Sequence, residues 1–339
     1  MEPIKLVVSP RHAPRADRRT VGHEAPTPTA AERPPGPADV RPGGPALRRT
    51  LPERRLAAVG AWCLVEHFGD PETDPTRLAP LAYPEVGLMS LTWPIEGLIR
   101  RRDSIGTDIL VSHGHVCLGT AGHGVTVAEA GVDDPRGGRH ARRFLHGVRL
   151  AAALPAAVRG RAPEVQEIHA PPRVTSPTMR ATVLVGRLDG EYAELVSPAR
   201  VHTPLVAADI TLTTGTERLS LEPRYEHGVL LLDGAVSVDG TPLAVGELAY
   251  LPVGHRRVDL ATLPGCRVLL LGGTPFEEEF ILWWNIVAAT HDEVVAAREA
   301  WERGDPRFGA TPPGAARSAA PPIPPVRLRP RRGSVRRRG

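Results

Sequence analysis

Two series of short apolar segments, each closed by a turn containing Gly, Pro or Asp, constrain this chain more than any other feature. The first series holds GLMSLTWPIEGLIRRRDSIG (87–106), DILVSHGHVCLGTAG (108–122) and HGVRLAAALP (146–155). The second holds MRATVLVGRLDG (179–190), ADITLTTGTERLSLEP (208–223), HGVLLLDGAVSVDGTPL (227–243), GELAYLPVG (246–254) and CRVLLLGG (266–273). Short apolar runs punctuated this closely form strands rather than helices. Glu96-Gly97 is an acidic-Gly turn between two strands, and Asp233-Gly234 and Asp239-Gly240 are hairpin-type dipeptides. Many short strands at this spacing fold as a sandwich or barrel. A Pro-rich, charged joint at about 155–177 separates the series, so the chain is expected to be all-β with two such units.

One helix is legible after the strands. Thr290 followed by Glu293 makes a capping-box pattern ahead of VVAAREAW. Val294, Ala297 and Trp301 fall on one face and Gly304 supplies the stop, which predicts a helix packed on a sheet.

The formal charge of +4 invites a nucleic-acid reading until its location is considered. Residues 311–339 contain eight arginines and no acid, so residues 1–310 carry −4. The flanks, residues 1–47 and 310–339, are rich in Pro, Ala, Arg and Gly, have no period, and read as disordered arms. A P-x-x-P pattern in PPIPPVRLRP could dock on a proline-binding groove, though a plain solvated tail explains it as well. Cys63, Cys117 and Cys266 are distant and odd in number, which argues against a disulfide framework and suits a reducing compartment. With no apolar run near 18 residues, a cytoplasmic protein without membrane contact is expected.

Five ordered segments resemble the pirin family. RRTLPERRLAAVGAWCLVEHFGD (48–70) is similar to its opening Arg-x-Leu-Pro, Val-Gly and His-Phe-Gly elements. IEGLIRRRDSIG (95–106) resembles its Leu-Glu-Gly…His-Arg-Asp-Ser-Leu-Gly hairpin, TAGHGV (120–125) its Thr-Ala-Gly-x-Gly loop, and HGVRLAAALP the strand that follows. LLLGGTPFEEEFILWWNIVAATHDEVVAAREAWE (269–302) resembles a C-terminal stretch of bacterial pirin-like proteins. The resemblance implies two cupin (jelly-roll) barrels, an N-terminal one over 48–160 and a C-terminal one over 161–309 that ends in the helix.

It also implies an iron site in the N-terminal barrel. Residues two apart on a strand share a face, so two such pairs would converge four ligands inside a barrel. The family's His-Pro-His falls on Tyr83-Pro84-Glu85, and its second His-x-Glu motif on Val127-Ala128-Glu129. Only Glu129 keeps its type. Imidazoles with one carboxylate suit non-haem iron; a phenol, an isopropyl group and two carboxylates do not. The oxygen set Tyr83, Glu85 and Glu129 would favour Mg²⁺, Ca²⁺ or Mn²⁺. Without a cation, two neighbouring carboxylates would repel until one took a proton.

His113, His115 and His123 lie near the second motif and read as structural or surface histidines. His227 and His255 are single, with no paired ligand nearby in sequence, so the second barrel is expected to be structural. Ala151 stands where related strands tend to carry Trp, which would remove a wall for a planar ligand. Trp283 and Trp284, if on a strand, would face opposite sides. Loops of the Gly-x-Ser-x-Gly, Walker and His-Glu-x-x-His types are absent. These readings lead to a monomeric bicupin without iron or another cofactor, acting as a binding or regulatory module for a protein partner. Nucleic acid is expected to engage, at most weakly, the basic tail. The alternative is a metal-dependent dioxygenase of the quercetin-cleaving type with an altered N-terminal site.

Overall fold

The computed structural model describes residues 6–9, 11–12, 47–69, 81–133, 145–189 and 194–333. Both strand series close into barrels, each made of a long sheet facing a shorter one. The long sheet of the first runs Glu164–Ile168, Val116–Thr120, Leu88–Glu96, His146–Ala153, Trp62–Phe68, Leu47–Leu51, Arg11–His12. Opposite lie Ala316–Arg317, Leu81–Glu85, Val125–Val132, Leu98–Asp103 and Asp108–Ser112. In the second barrel the long sheet runs Leu6–Val8, Leu248–Leu251, Glu226–Gly234, Cys266–Gly273, Leu205–Leu212, Met179–Val185, Arg173–Thr175. Gly215–Ser220, Arg257–Thr262, Val236–Val238 and Thr241–Leu243 face it.

The turn dipeptides divide into two kinds. Asp239 (φ 46°) and Gly240 (φ 81°) join Val236–Val238 to Thr241–Leu243 as a two-residue hairpin, the positive φ at both centres matching the strand twist. Gly97 (φ 85°) and Gly234 (φ 80°) instead turn corners, carrying the chain from one sheet to the other. Closing a barrel needs such corners as much as hairpins.

The two long sheets pack face to face and share the largest apolar core. Trp62 Nε1–H donates to the carbonyls of Val206 (3.1 Å) and Gly272 (3.2 Å), and Trp93 Nε1–H to Asp209 Oδ2 (2.9 Å). Glu226 accepts from Gly60 N–H (2.9 Å) and Tyr250 O–H (2.8 Å), and burial raises its pKa. At Gly60 (φ 55°) the backbones of the two units touch: a Cβ there would lie 2.8 Å from Gly273 Cα. Polar atoms in a dry interface fix register because an unpaired one is costly.

Helix His291–Glu302 is capped by Thr290, whose Oγ1 accepts from Glu293 N–H at 3.2 Å, while Glu293 reaches back to Ala289 N–H at 2.9 Å. It buries Val294, Ala297, Ala300 and Trp301 against the Ile281–Trp283 and Ile286–Ala288 ribbon. Trp284 opens the reversal of that ribbon at φ 55°. The two tryptophans therefore do not splay to opposite faces of one strand. Their rings meet edge to face with centroids 6.2 Å apart, and Trp284 meets Trp301 at 6.4 Å. No described helix is long and apolar enough to cross a membrane.

The described parts of both flanks depart from the expected solvated arms. Leu6–Val8 pairs with Leu248–Leu251, adding an edge to the second barrel; most of residues 1–46, and residues 334–339, lie outside the described residues. Residues 310–333 strap the helix and the first barrel. Ala316–Arg317 pairs in parallel with Leu81–Glu85, and Ser318 N–H donates to Ala82 O at 2.8 Å. The Arg317 guanidinium lies 3.4 Å above the Trp301 ring, Arg327 pairs with Asp292 at 2.9 Å, and Arg331 donates to the carbonyls of Glu53 and Arg54. The P-x-x-P stretch is held as well: Pro321 O accepts from Arg298, and Ile323 and Leu328 pack on the helix cluster. Composition alone missed this because the apolar Trp301–Phe308 cluster that it covers, rather than any local period, orders the strap. Glu164–Ile168, placed beyond the domain boundary at 160, likewise completes the first barrel.

A chain ended at residue 309 is expected to unfold at lower urea concentration than the full chain, by about 2–4 kcal/mol for the uncovered apolar residues. Coincident urea curves for the two proteins would show the segment to be a passive tail.

Candidate functional site

Alternation along the strands of the first barrel places Tyr83 and Glu85 on the inner face of Leu81–Glu85, opposite Val127 and Val125. Glu129, two residues beyond Val127, faces inward beside them, and Tyr83 O–H lies 3.4 Å from its Oε2. All four family positions thus share one interior, and all are buried.

Two arginines join them there. Arg149, on His146–Ala153, donates from Nη2 to Glu85 Oε1 at 2.8 Å and sits 3.7 Å from Glu66 Oε2. Its guanidinium also stands over the Tyr83 ring, 4.9 Å from the centroid. Arg101, on Leu98–Asp103, donates to Glu129 Oε1 at 3.0 Å. Ser90 O–H donates to Glu85 Oε2 (2.8 Å), Thr92 O–H to Glu129 Oε1 (2.9 Å), and Arg49 Nε–H to Glu66 Oε1 (3.0 Å). Arg101 and Arg149 are 2% and 5% exposed, so their charges are met inside the protein. Burial opposes the charged form of each, yet the surrounding groups raise both pKa values above the ordinary arginine value; for Arg149 these include Tyr83, Glu85, Glu66 and Glu129. Gly119 makes the room: a Cβ there would come within 2.6 Å of the Arg101 guanidinium. The crevice between Glu85, Arg101, Asp103 and Thr120 has a cavity volume of ≈ 0 Å³.

The neighbouring carboxylates were expected to lack a counter-charge unless a cation arrived. The structure corrects that expectation, because two guanidinium groups supply the charge. The donor set does not fit iron: it contains no imidazole, and both carboxylates are already engaged by arginine. The sequence held the signal. Arg149 interrupts an apolar strand, and Arg101 stands where the family hairpin quoted above has His.

The nearby histidines go elsewhere. His123 is exposed, and His113 stacks on Trp93 with centroids 5.0 Å apart. His115 is buried at the end of Val116–Thr120, beside Glu167 and His169. A pair that sequence reasoning missed joins His67 Nε2 to His146 Nε2 at 2.6 Å; burial, then the His146 and Arg48 charges, lowers the His67 pKa to about 3. His227 and His255, expected to be isolated, approach each other: burial and then the His255 charge lower the His227 pKa to about 4. Ala151 is fully buried on the Arg149 strand, in the core rather than on a ligand-binding wall.

Space for a ligand lies between the barrels. A cleft of about 250 Å³ is lined by His113, Arg173, Arg180 and Arg267. Asp209 at its floor is held by Trp93 and by Arg267, whose Nε–H reaches Oδ1 at 2.8 Å.

Residues 207–309 match the pirin C-terminal cupin domain. A protein of Pseudomonas aeruginosa, provisionally named a quercetin 2,3-dioxygenase, is 40% identical over 285 residues, covering 83% of this chain and 87% of its own. The chain belongs to the pirin family. A crystal structure of a quercetin 2,3-dioxygenase from Acinetobacter baumannii superposes with TM-score 0.74 at 36% identity, covering 84% of this chain and 92% of that one. The nickel(II) complex of the Escherichia coli pirin YhhW shares the fold, with TM-score 0.54 at 13% identity over 70% of this chain and 95% of its own. The two barrels and terminal helix read from the strand series are those of a pirin.

Arg149→Met in this pirin leaves Glu85 and Glu66 short of their counter-charge, and is expected to cost about 3–5 kcal/mol in urea unfolding. Adding Glu85→Gln should recover part of that loss; a double mutant no more stable than Arg149→Met would show the pair to be uncoupled. Acid acts through the histidines. Unfolded chains take up these protons near the ordinary value of 6.5, whereas folded His67 and His227 do so only at about 3 and about 4. Their contribution is therefore full above pH 6.5 and falls on acidification. Each should remove up to about 1.4 kcal/mol per pH unit across the window from 6.5 to about 4. Urea midpoints that stay level between pH 6.5 and 5 would contradict this.

Proposed function

We propose that this pirin does not take up iron at the four family positions and works as a binding or regulatory module. One observation carries the reading: Arg149 and Arg101 occupy the interior where a metal would sit and pair with Glu85 and Glu129. A cation entering there would meet two fixed positive charges within a few ångströms, a repulsion that low-dielectric surroundings enlarge. Binding is supported by the cleft between the barrels, where three arginines and His113 stand against the one carboxylate of Asp209. That balance suits a carboxylate or phosphate group presented by a ligand or a protein partner. The P. aeruginosa and A. baumannii relatives favour a second reading, a quercetin-cleaving dioxygenase with an altered N-terminal site. The basic tail gives little support to nucleic-acid binding, since Arg317, Arg327 and Arg331 are spent on contacts within the chain.

Iron loading followed by gel filtration and elemental analysis decides between these. The expected result is no iron dependent on Glu85 and Glu129, and no quercetin consumption by the iron-treated protein. Stoichiometric iron that disappears in Glu129→Gln, together with quercetin turnover, would establish the dioxygenase.

A further inference from the structure

We propose that His115, Glu167 and His169 form a divalent transition-metal site on the edge of the first barrel, outside the family's iron position. The strand register builds it. Val116–Thr120 pairs with Glu164–Ile168 so that Cys117 opposes Glu167 and Val116 opposes Ile168. Continuing that register by one residue sets His115 opposite His169, and Glu167 shares the face of His169 because it lies two residues away. The three donor atoms lie within 4.8 Å of one another.

His115 carries the argument. It is 9% exposed, and its Nδ1 lies 3.1 Å from Leu110 O. A carbonyl can only accept, so Nδ1 holds the proton and the lone pair of a neutral ring sits on Nε2. That Nε2 is buried without a hydrogen-bond partner, 3.3 Å from Glu167 Oε2. A lone pair and a carboxylate oxygen facing each other at this distance require a positive centre between them. The spacing is also that of two ligands on a tetrahedral ion with bonds of about 2.0–2.1 Å. The His169 ring lies 4.4 Å from that of His115, tilted by 30°, and is exposed, so a rotation brings its nitrogen onto the same point. A backbone carbonyl holding the far nitrogen of a ligating imidazole is the usual support for a metal-bound histidine. Two imidazoles and one carboxylate select Zn²⁺ or a similar ion over Mg²⁺ or Ca²⁺ and leave a coordination position open.

The test uses the chelator-stripped full-length protein. Zn²⁺ is titrated calorimetrically and Co²⁺ by its visible absorption. One equivalent of each ion is expected, with Co²⁺ showing the bands of a low-coordinate nitrogen–oxygen site. His169→Ala and Glu167→Gln, both at exposed positions, should each weaken binding at least roughly tenfold. His115→Ala should abolish it, with near-ultraviolet circular dichroism reporting that the fold is kept. Tyr83→Phe, inside the barrel, should leave the titration unchanged. Failure to saturate at one equivalent would overturn the proposal. So would uptake unaffected by His169→Ala and Glu167→Gln. Either failure leaves the reading of the barrel interior untouched, because that reading rests on Arg101 and Arg149.

Discussion

The interior of the first barrel depends on one pairing, the Arg149 guanidinium against Glu85 with Glu66 close by. A buried carboxylate without a partner is among the costliest groups a fold can contain, and removing one member strands the other. Because Arg149 also lies against Tyr83, and Arg101 holds Glu129, the pairings fix side chains on five strands at once. Ser90 and Thr92 donate further hydrogen bonds to Glu85 and Glu129. The pirin resemblance implies an ion that draws its ligands inward at these positions. Here arginine performs the same convergence from the opposite direction, by reaching in from the wall.

The seam between the barrels follows a related rule with apolar material. Trp62 and Trp93 insert their rings where the long sheets meet, and each N–H ends on an acceptor of the second barrel. Glu226 closes the set by accepting from the first barrel's backbone at Gly60. Directional contacts at such a seam hold one relative placement of the units, which apolar burial alone leaves loose. The arginine-lined cleft lies at the rim of this seam, so its shape depends on that placement.

How much of this could be read from the chain varies with the range of the force involved. Strand periodicity, the Asp239-Gly240 hairpin and the Thr290 cap are local, and each was legible because the residues that decide them are neighbours in sequence. The convergence of Tyr83, Glu85, Val127 and Glu129 was legible only through the family resemblance, since no local pattern links residues some forty positions apart. Arg149 and Arg101 escaped notice because composition treats arginine as a surface residue; only its place in an apolar strand marks Arg149 as buried. The strap over 310–333 was misread for a different reason. Its order comes from the Trp301 and Phe308 surface it covers, a property of the completed fold.

That strap has a consequence for how the molecule can be assembled and handled. Ala316–Arg317 lies along the free edge of Leu81–Glu85, the strand that carries Tyr83 and Glu85, while Leu6–Val8 lies along the other barrel. Each of these two bordering strands thus belongs to the unit made from the opposite half. Until Ala316–Arg317 is in place the first barrel keeps a bare edge, and a bare edge is where strands of other molecules attach. Cutting the chain at the joint would give two halves that each lack a bordering strand.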